Sequence, residues 1–84
     1  MKEFKTWKEY IIFLMDEVKA GRRTLREALS SFDYAVWLAG YDDRLTRRLL
    51  TKFINQKLIP NEFVEYVNFF KKKLKEGKKF IGEI

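Results

Sequence analysis

Residues 41–57 read YDDRLTRRLLTKFINQK, a stretch that sorts charge from oil more sharply than folding requires. At about 100° per residue, Leu45, Leu49, Leu50, Phe53 and Ile54 fall on one side of a helix. Arg44, Arg47, Arg48, Thr51, Lys52 and Asn55 fall on the other, with no acid among them. The apolar side suits the core of a helical bundle. The polar side, its arginines turned to water, suits a polyanion. Asp42 or Asp43 suits the N-cap, where a carboxylate meets free backbone N–H groups and the positive end of the helix dipole.

Upstream, two T-x-x-E patterns announce helix starts. Thr6 with Glu9, and Thr24 with Glu27, each read as a capping box in which the side chains satisfy backbone donors reciprocally. Gly21 and Gly40 supply left-handed C-terminal caps. Helices are therefore expected over 7–20 and 25–39. Trp7, Ile11, Leu14, Met15 and Val18 form the inward stripe of the first. Leu25, Ala28, Leu29, Phe32, Ala35, Val36 and Ala39 form that of the second. Downstream of the third helix, over 43–57, Pro60 is suited to a first helical position. The fourth helix is expected over 60–76, with Phe63, Val64, Val67, Phe70 and Leu74 inward and Gly77 as its stop. Residues 77–84 form a tail. No alternating run or hairpin dipeptide marks a strand. The expected fold is all-α: one domain over 1–84, a compact bundle of four short helices joined by tight turns.

Composition narrows the function. With 84 residues the chain can close one modest core, to which 17% aromatic residues contribute large buried areas. Neither Cys nor His is present. Disulfides, thiolate metal sites and the commonest general base are thereby excluded. The acidic pairs Asp16-Glu17 and Asp42-Asp43 are chain neighbours pointing about 100° apart on a helix, which disfavours paired acid-base catalysis, and Asp42-Asp43 reads as a capping pair rather than a metal site. The reading is therefore of a non-enzyme with no cofactor, no metal and no evident small-molecule substrate. No apolar run reaches the roughly 20 residues of a membrane span, and no secretory signal pattern is seen, so a cytoplasmic setting is expected.

Net charge is +6. Residues 1–40 hold seven basic and six acidic residues; residues 41–84 hold eleven and six, so the second half carries +5. Arg and Lys neutralise phosphates, and Arg or Asn can read base edges. The favoured partner is accordingly DNA or RNA, gripped by Arg44, Arg47, Arg48, Thr51, Lys52 and Asn55, with Arg22 and Arg23 as a second cluster. The pairing of helix 2 with a basic helix 3 resembles a helix-turn-helix arrangement over residues 25–57, which would imply groove contact by helix 3. Ala35 and Ala39 keep the four-residue spacing of that motif, and Gly40 comes one position late. The alternative is a protein-interaction adaptor or homodimer that uses rings lying off the core stripes: Phe13, Tyr34, Trp37 and Phe69.

Overall fold

The computed structural model describes residues 4–77; the tail expected over 77–84 lies almost entirely outside them. Four helices follow in order: α1 (Trp7–Lys19), α2 (Leu25–Leu38), α3 (Asp43–Asn55) and α4 (Asn61–Lys75). Successive helices pack on one another, and α2 also touches α4, so α2 contacts all the others. The result is a compact all-α bundle with a radius of gyration of 11.8 Å.

Each helix forms where the caps direct it. Thr24 and Glu27 make a closed capping box: the Thr24 N–H donates to Glu27 Oε1 at 2.8 Å, and the Glu27 N–H donates to Thr24 Oγ1 at 3.1 Å. The box expected at Thr6 is only half made. Thr6 Oγ1 accepts from the Glu9 N–H, while Glu9 Oε1 accepts from the Lys5 N–H instead of the cap residue. At α3 it is Asp42 that caps, accepting from the Arg44 N–H at 2.9 Å. Pro60 is the N-cap of α4 and not its first helical residue.

The C-terminal ends share one device. The Arg22 N–H donates to the Glu17 carbonyl and Gly21 to Val18; Tyr41 donates to Val36 and Gly40 to Trp37. These paired bonds satisfy the last carbonyls while the intervening glycine takes a left-handed conformation, φ +78° at Gly21 and +95° at Gly40. α3 ends in the same way, Leu58 N–H to Phe53 and Lys57 N–H to Ile54, but the left-handed residue there is Lys57 at φ +63°. This ends α3 at Asn55, two residues before the sequence reading.

The core gathers the expected stripes. Ile11, Leu14 and Met15 meet Ala28, Leu29, Phe32 and Val36, then Leu50 and Phe53, then Val67, Phe70 and Leu74, with Ile59 of the connecting turn. Phe32 lies at the centre, its ring 5.8 Å from Trp7 and 5.9 Å from Tyr10 of α1 and 6.3 Å from Phe53 of α3. One reading changes: Ala39 is exposed, because it caps α2 instead of extending its buried stripe. Thr46, which the sequence assigned to neither side of α3, is fully buried and donates its hydroxyl to Asp33 of α2 at 2.8 Å, tying the two helices by a polar bond.

Lys57 has a side chain in a conformation that disfavours a Cβ by about 1–2 kcal/mol. Lys57→Gly is therefore expected to stabilise the fold, by roughly 0.5–1 kcal/mol after the glycine's greater unfolded-state freedom is offset. Urea unfolding followed by circular dichroism measures this; an unchanged or lower midpoint would show that the left-handed turn is not strained.

Candidate functional site

Two surfaces stand out, one cationic and one aromatic. The cationic surface is a groove of about 460 Å³ between α3 and α4. Arg44, Arg47, Arg48 and Thr51 form one wall, and Asn68, Lys71, Lys72 and Lys75 form the other. The two helices are joined by the short turn 56–60, so the start of α3 lies beside the end of α4. That antiparallel arrangement brings the α3 arginines against the terminal lysines of α4. The sequence singles out the arginines of one helix; their pairing with the α4 lysines across a groove comes from the packing of α3 on α4.

The arginines are not all open to solvent as expected. Arg44 grips Asp42, with Nε and Nη2 donating to Oδ2 at 3.1 and 3.0 Å. Arg47 Nε donates to Asp43 Oδ2 at 3.2 Å, an i,i+4 pair that is half buried. The expectation that no acid meddles with this face fails, because the helix-starting aspartates fold back onto the first two arginines. Arg48 and the lysines at 72 and 75 have no ion-pair partner among the described residues, and Lys71 only approaches Asn68 Oδ1, at 3.5 Å. Thr51 donates to the Arg47 carbonyl. Lys52 and Asn55 are exposed but do not line the groove. Arg22 and Arg23 are remote from it in function: both pair with Glu17 of α1, Arg22 through its Nε and Arg23 at 3.7 Å.

The aromatic surface is the outer face of α2. Tyr34, Trp37 and Leu38 recur at i, i+3 and i+4, opposite the half-buried Leu25 and the buried Ala28, Phe32 and Val36, and Tyr41 follows just beyond the end of the helix. The exposures of Tyr34, Trp37, Leu38 and Tyr41 are 50%, 63%, 63% and 55%. The Tyr34 and Trp37 rings lie 5.8 Å apart. Of the rings singled out from sequence, Tyr34 and Trp37 belong to this ridge, and Phe69 is exposed on α4, near Tyr66 and beneath the Lys73 ammonium. Phe13 does not. It is half buried, 5.1 Å from the Phe4 ring and covered by the Arg23 guanidinium. Leu38 and Tyr41 are exposed as well; the i+4 spacing of Leu38 from Tyr34 was the available signal, whereas Tyr41 lies past the left-handed Gly40, where helical spacing no longer applies.

Beside the ridge lies a hollow of about 820 Å³, reached past Tyr41 and walled by Phe4, Trp7, Tyr10, Phe13 and Ala35. Burial raises the Tyr10 hydroxyl above the ordinary tyrosine range, against the pull of the Arg23 charge. Arg23 also lines this hollow, and its Nε is buried without a hydrogen-bond partner among the described residues. The separation of 3.7 Å from Glu17 gives it a charge neighbour but not a hydrogen bond. No family model matches the chain, and no curated protein or solved structure is significantly similar to it.

The side-chain hydrogen bond from Arg44, followed by the capping bond from the Arg44 N–H, holds the Asp42 carboxyl below its ordinary range. A carboxyl lowered in the folded state contributes stability that is fully present above its unfolded value, about pH 4, and is lost as pH falls through the lower folded value. Carbon-13 NMR titration of Asp42 is therefore expected to give a midpoint below about 3.9, the ordinary aspartate value. A midpoint at or above that value would mean that the Arg44 clamp does not persist in solution.

Proposed function

We propose that the protein is a non-enzymatic partner-binding module that docks another protein on the outer face of α2. The observation carrying this reading is the exposed ridge of Tyr34, Trp37 and Leu38, set opposite the core face of the same helix, with exposed Tyr41 just beyond its end. Large apolar side chains grouped in this way cost solubility and add nothing to the bundle's own core. Rigid aromatic side chains supply much contact area at low entropic cost, which is why Trp and Tyr dominate interface hot spots.

The adjoining hollow and its charge suggest the partner's chemistry. An aliphatic or aromatic anchor would fill the space between Tyr10, Phe13 and Tyr41, and a carboxylate beside it would be drawn to the positive charge of Arg23, which lines the same hollow. Net charge +6 favours an acidic partner over a second copy of the same chain, since two copies repel as they approach. A nucleic-acid-binding role in which the α3 arginines read bases has less support, because Arg44 and Arg47 already carry counter-ions from their own helix start.

Panning a random peptide library against the immobilised protein tests the proposal. Enriched peptides are expected to combine a bulky apolar residue with Asp or Glu. Trp37→Ala should weaken them by about 2 kcal/mol, roughly thirtyfold, while leaving the helical circular dichroism unchanged. If the selected peptides ignore Tyr34→Ala and Trp37→Ala alike, the ridge is not a docking site. Sedimentation equilibrium separates the homodimer alternative, for which the same variants would dissolve a dimer.

A further inference from the structure

The α3–α4 groove has a property that the aromatic ridge lacks: every residue lining it is cationic or an uncharged hydrogen-bonding side chain. The lysines at the end of α4 suit the negative end of its dipole, and Lys73 is accounted for by Glu76 and the Phe69 ring. Arg48 has no such explanation. It sits in mid-α3 and faces Lys72 and Lys75 across the groove, with no acid among the described residues to offset the repulsion. Like charges held together without compensation raise the free energy of the empty fold and lower it when an anion enters.

We infer that this groove holds the sugar-phosphate backbone of a nucleic acid, without reading its bases. The inference is independent of the aromatic ridge. The α3 wall runs from Arg44 to Thr51 and the α4 wall from Asn68 to Lys75, each about 10 Å long, room for a short run of adjacent phosphates. Arg48 offers a planar fork to phosphate oxygens, the lysines supply point charges, and the Asn68 amide can donate to phosphate or sugar. An acidic peptide fits less well, since no apolar side chain lines the groove to anchor it. A membrane surface fits less well too: the cations face one another across a trough instead of forming a flat sheet beside an apolar face. No aromatic ring lines the groove, so stacking contributes nothing and selectivity among bases is not expected.

The test is fluorescence anisotropy of labelled single-stranded and duplex DNA and RNA, titrated with the full chain over a range of salt. With four cations lacking an acidic partner, affinity is expected to fall roughly a hundredfold between about 50 and 200 mM salt. Lys72→Gln with Lys75→Gln should reduce the salt slope by about half. Lys5→Gln with Lys8→Gln removes the same charge outside the groove and should leave most of the slope in place. Asp42→Asn keeps an N-capping side chain but releases Arg44 toward the groove, so it should tighten binding and steepen the slope. Equal losses from both lysine pairs would overturn the inference by showing only a diffuse field. So would binding to phosphatidylserine vesicles but not to any of the nucleic acids. Circular dichroism of each variant guards against a folding defect, and loss of peptide binding by Trp37→Ala without loss of nucleic-acid binding keeps the two surfaces distinct.

Discussion

Phe32 is the ring against which three helices are assembled. It is wholly removed from water, with Trp7 and Tyr10 on the α1 side and Phe53 on the α3 side. A side chain this large in such a position contributes both apolar area and the offset or edge-on geometry that aromatic pairs prefer. Its site also explains why α2 can afford an apolar outer face. The inner face is saturated by Leu25, Ala28, Leu29, Phe32 and Val36, so Tyr34, Trp37 and Leu38 have no room inside the bundle.

Electrostatics follow from the same packing. α3 begins with two aspartates and then three arginines, an order that suits the dipole only at its first two positions. The structure resolves the conflict locally. Asp42 caps the helix and holds Arg44, and Asp43 holds Arg47 one turn on. What survives as uncompensated positive charge therefore lies farther along α3 at Arg48 and across on α4. The cationic character that the sequence suggested for one helix thus belongs to a pair of them.

Helices and core were legible because their signals are local. The period of Leu25, Ala28, Leu29 and Phe32, the Thr24–Glu27 box, and the glycines at 21 and 40 each act within a few residues. Where longer range decided the matter, sequence reasoning fell short. Phe13 looked like a spare ring because Phe4 and Arg23, which cover it, lie on other segments. Thr46 fell on neither stripe of α3, and its burial depends on Asp33 of the facing helix. The end of α3 was misplaced because its left-handed residue is a lysine, and only the chain's path through Leu58 and Ile59 reveals it. The groove depended on which ends of α3 and α4 meet, a matter of topology that composition does not record.

The paired-bond caps at the ends of α1, α2 and α3 bear on how the chain reaches its native state. Each turns the backbone back within a few residues, so a helix meets its sequence neighbour before the chain has closed any long loop. Chains whose contacts are this short in sequence cross a low entropic barrier and belong to the microsecond-to-millisecond class of folders. An apolar ridge such as that of α2 spends little time beside unpaired core residues in a chain that collapses so quickly, which limits the interval in which it can nucleate aggregation.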